Sequence, residues 1–376
     1  MKILFLNEYA SDRPVSGAEH SQNALAEGLR SVKQKVIIFS PAWKRNQIGE
    51  GLSPLWFNNP IYFIYSAWHI YQKIKSEKIN LIHVHGKYIL PGAVIAGWLT
   101  GKPVVATVRD FKFLCPLALC FTHQKENCNF SHYVNKEIPE YQLRYHKISS
   151  FKLILAKLWQ YQLKWFLNHC QQVIAVSPQL AKIYQNNGVK NIISIYNLPP
   201  VQQKTSYVVP QQPLILSLGR LSFGKGTDIL IKVAKKMPQV QFVLAGPLNP
   251  SFKAEFPQNC RYLGQISHQV ALSWYARASA FCLLSRWPEP LSRSGLEALS
   301  YGLPIVVSNR GGNKSLIKDN GYLVSLDKIS AITEAINQVI SRHQLFSQAS
   351  RKLLVTRFNR QKILQLHINL YQKITL

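Results

Sequence analysis

Acid is what this chain has little of: 17 Asp and Glu stand against 45 Lys and Arg in 376 residues, a formal net charge of +28. The excess is evenly spread, 23 basic and 10 acidic residues in 1–200 and 22 and 7 in 201–376, so it is not a basic tail. Such a charge fits an anionic membrane face, an anionic ligand or nucleic acid. Nucleic acid is the weakest of the three, because no recognised binding motif and no concentrated basic stripe occurs. The five aspartates are all isolated and no Asp-x-Asp is present, so a divalent metal clamped by paired carboxylates is not expected. No apolar run is long enough to span a bilayer: the uncharged stretch 51–72 is broken by Pro54, Asn58, Asn59 and Pro60, and 88–101 is short. The apolar start, residues 2–6, is too short for a signal peptide and reads as a first buried strand. Six cysteines without an export signal are expected as thiols rather than a disulfide framework. Short-period repeats and low-complexity tracts are absent as well.

What is present is a regular alternation. Strand-like apolar runs at 2–6, 35–40, 81–85, 104–108, 173–176 and 192–195 are separated by helical patterns such as 18–31. A polar, Pro-bearing segment at 199–212 reads as a linker, and the pattern restarts at 214–218, 241–245, 280–284 and 304–307. The fold class that follows is α/β, with two Rossmann-like doubly wound domains facing a central cleft. Ligands of such sheets sit beyond the carboxyl ends of the strands.

Against the scarcity of acid, Glu289 and Glu297 have only seven residues between them, in a run that closes with Gly302-Leu303-Pro304. Ser292 or Ser294 can cap a helix there and Gly302 ends it. Glu289 then falls in the loop before the first turn and Glu297 inside the helix. Carboxylates to grip hydroxyls beside helix-start amides for an anion are the needs of a sugar nucleotide. A second device is Gly219-Arg220 at a strand end, followed by Gly224-Lys225-Gly226 before a helix starting near Thr227. Arg suits bidentate phosphate contact and Lys supplies a compact point charge; a turn with two solvated cations is the plainer alternative. A third strand end carries Gly311-Gly312-Asn313 and a helix start. Three such devices in strand order fall on one edge of one sheet.

These pieces, with Phe242-Val-Leu-Ala-Gly246 and Tyr262-Leu-Gly264, resemble the donor domain of retaining GT-B glycosyltransferases, family 4 type. The first half matches more loosely, through Ser16-Gly17-Ala18-Glu19, His83-Val-His85, residues 103–107 and Ala175-Val-Ser177. The resemblance implies an acceptor-binding domain over 1–200, a nucleotide-sugar donor domain over 201–355, and a helix at 356–376 packing back on the first domain. It makes Arg220 and Lys225 diphosphate ligands, Glu297 the ribose ligand, and Glu289 the contact to donor-sugar hydroxyls, with amides near Leu291 and Ser292. Gly219 belongs to the donor turn, and Gly17 sits in the loop facing the leaving phosphate. Arg109 and Asp110 become sugar-pocket candidates in place of the family's usual His-Asp. Arg109 is then set to touch the donor or an anionic acceptor, or to pair with Asp110, and pairing is placed first. Ser315 stands where relatives often carry Glu.

The implied activity is transfer of a sugar from a nucleotide-diphosphate donor to a glycan or lipid-linked acceptor, with retention of configuration and without metal or cofactor. The implied setting is cytoplasmic, at the inner face of a bacterial membrane, in surface polysaccharide assembly. A non-catalytic sugar-nucleotide binder in a glycan-assembly complex is the alternative. Three further signals read as structural first. Cys115, Cys120 and Cys128 with His123 and His132 fit no standard zinc spacing. His83 and His85 share one strand face and are expected to pack. From Glu140 to Asp228 no acid intervenes, and basic and aromatic residues interleave over 144–166. That stretch, with Trp56, Phe57 and Trp68, is expected to make peripheral contact with anionic lipid, although its apolar positions wrap most of the helix.

Overall fold

The computed structural model describes residues 1–7, 17–41, 60–117, 130–145, 149–203, 212–253 and 255–376. Cys120, His123, Cys128, Ser16, Trp56, Phe57 and the middle of the linker lie outside them.

Two six-stranded sheets, parallel throughout, make up the molecule. The first contains β1 (Lys2–Leu6), β2 (Lys35–Phe39), β3 (Leu81–Val84), β4 (Val104–Val108), β5 (Gln172–Ala175) and β6 (Ile192–Ser194), in the order β2-β1-β3-β4-β5-β6. The second contains β7 (Leu214–Leu218), β8 (Gln241–Ala245), β9 (Cys260–Tyr262), β10 (Ala280–Leu283), β11 (Ile305–Ser308) and β12 (Gly321–Val324), in the order β12-β11-β10-β7-β8-β9. Strand order reverses between β1 and β3 in one sheet and between β7 and β10 in the other. Those two reversals are where a crevice opens beyond the strand ends.

Both faces of the first sheet are covered, so its strands are continuous apolar runs rather than alternating ones. Leu4 and Leu6 pack one way, with Ile70 and Ile74 of the Pro60–Glu77 helix and Leu163 and Leu167 of the Ser150–Asn168 helix. Ile3 and Phe5 pack the other way, with Leu25 and Leu29 of the Gly17–Ser31 helix and with Ile363, Leu364 and Tyr371 of the last helix, Arg360–Thr375. The chain thus ends on the sheet with which it begins. Arg360 is tied there through a 2.8 Å hydrogen bond to the carbonyl of Pro199.

The two units also touch near the cleft. Ser177 caps the Pro178–Asn186 helix and its hydroxyl donates to the carbonyl of Pro290, 2.5 Å away. Ser315 is buried and donates to Gln179 across the junction at 3.0 Å. Ser315 thus supplies a small hydrogen bond between the two units.

Candidate functional site

Beyond β7 the chain enters Gly219-Arg220 and the turn before the Thr227–Lys236 helix. Gly226 adopts φ 69° with the Leu284 backbone pressed against it, a place with no room for a Cβ. Arg286 anchors the turn from the far side of β10. Its guanidinium meets Asp228 through two 2.6 Å bonds, donates to the Phe223 carbonyl at 2.6 Å and lies 3.6 Å from the centre of the Phe223 ring. Lys225 is thereby presented to Glu289, with which it forms an ion pair.

Glu289 is buried. Its Oε1 collects Lys225, the Ser285 hydroxyl at 2.5 Å and the Trp287 indole N–H at 2.8 Å. The three donors converge on one oxygen of a carboxylate that lines the cavity. Burial pushes the carboxyl upward in pKa, but the Lys225 ammonium and the hydrogen bonds outweigh it and hold the group below its ordinary value. Glu297 sits one turn into the Arg293–Ser300 helix and meets His268 at 3.1 Å, Arg293 at 3.2 Å and the Tyr275 hydroxyl at 3.1 Å. Burial again opposes ionisation, and His268 and Arg293 overcome it. Of the two capping serines open to the sequence, Ser292 is the one used: its hydroxyl accepts from Gly295 N–H at 3.1 Å.

One cavity of about 550 Å³ gathers these groups between the two units. Gly17, Arg109, Gly219, Arg220, Lys225, Glu289, Leu291, Ser292 and Glu297 all line it. Asp110 does not. Its carboxylate turns to the Lys112 backbone N–H at 2.8 Å and to the Lys112 ammonium at 3.5 Å. The expected Arg109–Asp110 pair is therefore not formed: consecutive residues at a strand end point to opposite sides, and Arg109 donates instead to His85 Nδ1 at 2.7 Å. The Gly311-Gly312 device also differs from expectation. It opens a 3₁₀ helix, Gly311–Leu316, outside the cavity lining, and Gly312 N–H donates to the Glu289 carbonyl at 2.5 Å. The glycine pair buttresses the carboxylate loop.

Composition and spacing missed several lining residues, among them His20, Asn197, His268, Trp287 and Arg293. His268 follows Ser267, the cap of its helix, so the helix start was readable but its direction toward Glu297 was not. Of the cysteine cluster only Cys115 and His132 are described: Cys115 is buried, and His132 lies 3.4 Å from the Glu137 carboxylate. His83 is buried between Thr107 and Tyr371, each 2.7 Å from a ring nitrogen, a packing role.

Two family models match the chain side by side: Glycosyltransferase Family 4 over residues 15–198 and Glycosyl transferases group 1 over 202–352. The chain belongs to the group 1 glycosyltransferases and has their GT-B fold. It is similar to spore coat protein SA of Bacillus subtilis, 28% identical over 183 residues, 43% of this chain and 48% of the relative. It is also similar to the O-antigen biosynthesis glycosyltransferase WbnH of Escherichia coli, 32% identical over 149 residues, 38% of this chain and 43% of the relative. The matched stretch spans about half the length of these curated relatives. Among solved structures, HepE of Anabaena in complex with UDP-glucose superposes with a TM-score of 0.69 at 19% identity, covering 99% of this chain and 100% of that one.

Proposed function

We propose that this chain transfers a sugar from a nucleoside-diphosphate donor to a glycan or lipid-linked acceptor, with retention of configuration and without a metal. The observation that carries the reading is the convergence in one cavity of Arg220 and Lys225, two ionised carboxylates and the start of the Arg293–Ser300 helix. A diphosphate leaving group needs its developing charge met. Arg220, Lys225 and the first-turn amides do that as preorganised donors, each worth about 3 kcal/mol of barrier. Glu289 accepts donor-sugar hydroxyls and Glu297 the ribose, while the departing phosphate takes the proton of the acceptor hydroxyl. That WbnH acts in O-antigen biosynthesis supports a place in bacterial surface polysaccharide assembly, and the UDP-glucose held by HepE supports a nucleotide sugar. In a nucleotide-release assay Glu289→Gln and Lys225→Ala each lower turnover at least about 100-fold; full turnover in both removes the site assignment. Donor binding by calorimetry without transfer to any acceptor leaves the binding-protein alternative standing.

The same reading includes peripheral work at the inner face of the membrane. The Ser150–Asn168 helix buries Leu153, Leu163 and Leu167 yet leaves Phe151, Leu158 and Trp165 exposed at helical spacing. Trp165 meets exposed Trp98 edge to face, with ring centres 5.9 Å apart. An apolar row flanked by Lys152 and Lys164 in an acid-free stretch fits anionic lipid. Co-sedimentation with vesicles containing phosphatidylglycerol, weakened by Phe151→Ser with Trp165→Ser, is the expected result, and no sedimentation overturns it.

A further inference from the structure

Arg109 is an unusual charge. It follows β4, lines the cavity from the first unit, and its Nε is buried with no partner. Desolvation pulls the guanidinium down to about 10, so it remains a cation at neutral pH. Among the described residues its hydrogen bond goes to His85 Nδ1. Guanidinium has no acceptor, so that nitrogen must accept, and the proton of a neutral ring then sits on Nε2. The neighbours behind are neutral as well. Burial drives His83 and His85 well below their ordinary value and His367 to about 3, and Thr107 and Tyr371 complete the cluster.

Among the described residues no carboxylate pairs with this charge, and Asp110 favours it only through space. Asp110 is committed to Lys112. Glu289 belongs to Lys225 and Glu297 to Arg293 and His268. A half-buried cation that pairs with a neutral ring and keeps a buried N–H without a partner is costly, and here it faces the space where substrate enters. The donor diphosphate already has Arg220 and Lys225 on the opposite wall. We infer that Arg109 forms a second oxyanion subsite on the first unit's wall, so that the substrate pair carries a carboxylate or phosphate in addition to the donor diphosphate. The inference rests on the proposed donor reading and adds a substrate class to it. Two sources share this chemistry, a uronic acid in the donor and a phosphate in the acceptor.

The full chain is first screened by thermal shift for UDP, GDP or ADP. In the donor arm, the matching nucleoside-diphosphate hexuronate and hexose are compared by calorimetry. In the acceptor arm, the nucleoside diphosphate is held saturating and glucose 1-phosphate is compared with glucose. In one arm the anionic ligand binds at least about tenfold more tightly than its neutral counterpart, as a charge-assisted pair requires. Arg109→Gln abolishes that preference and Arg109→Lys keeps part of it, while affinity for the bare diphosphate changes less than about threefold. Equal binding of anion and neutral by the native chain in both arms overturns the subsite, and that comparison stands whether or not a variant folds. A preference surviving Arg109→Gln, or an equal loss of bare diphosphate affinity, overturns it too. A chain that binds no nucleoside diphosphate refutes the donor reading itself, a separate outcome from binding one and ignoring the second anion.

Discussion

Lys225 owes its position to Arg286. The two residues never touch in the geometry above; Arg286 instead clamps Asp228 and the Phe223 carbonyl, and its backbone N–H donates to the Gly224 carbonyl at 2.9 Å. The turn carrying the candidate phosphate cation is thus held by a planar fork that a point charge does not reproduce. Arg286→Lys is expected to weaken nucleotide binding about tenfold through loss of the bidentate pair. Calorimetry on donor binding checks it, and unchanged affinity would show that the turn holds itself. This clamp was not legible in the chain, because Asp228 and Arg286 belong to separate strand-end segments that only the sheet order brings together. Glu289 and Glu297 were legible for the opposite reason. They share one short segment, so a loop followed by a capped helix fixes both without tertiary knowledge. Arg109 shows the limit: its place at a strand end could be read, its partner could not.

At the scale of elements, the carboxylate loop rests on the next strand's exit. Gly312 lies against the Pro290 carbonyl so closely that an added Cβ would overlap backbone, which cannot swing aside as a side chain does. Gly312→Ala is therefore expected to destabilise the fold by about 1–3 kcal/mol, the range for overpacking, and to displace Glu289 with it. Denaturant unfolding reads the first effect; a fall in kcat beyond the loss of folded protein reads the second. Stability and turnover both unchanged would mean the loop relaxes freely. The strands themselves were the most readable elements. Buried on both faces, runs such as Ala280–Leu283 are uninterrupted apolar stretches. The strands missed as strands, β9 and β12, are short outer strands at the two sheet edges with half-exposed residues, where the pattern fades. The Gly311-Gly312 turn was legible as a turn, but its burden was assigned to ligand rather than to the neighbouring loop, since a glycine pair alone does not say what approaches it.

Across the whole molecule, the last helix closes the chain onto its first sheet through a neutral polar layer, and that layer makes stability depend on pH. His83 bonds Thr107 and Tyr371, Tyr371 lies 3.4 Å from His367 Nδ1, and Arg109 approaches His85 from the cleft. Burial, then the neighbouring cations, depress all three imidazoles from an ordinary value of 6.5. A depressed value means the folded state refuses a proton that the unfolded chain accepts. The stability associated with these groups is complete above pH 6.5 and is lost as pH falls through the window below it, which for His367 extends to about 3. Each such histidine costs about 1.4 kcal/mol per pH unit in that window. His268 works the other way, since its hydrogen bond to Glu297 raises it and favours the folded state in acid, but it is one group and half-exposed. Burial depresses His20 and His343 as well, so five against one leaves a net loss. Unfolding free energies measured by denaturant at pH 7, 6 and 5 are therefore expected to fall steeply with acid. His367→Leu, which removes one proton-refusing site, should make that slope shallower by about one proton, roughly 1.4 kcal/mol per unit. A flat profile, or one with the same slope in the variant, would mean that the imidazole layer takes up protons while folded and that the helix is not held on the sheet by neutral partners.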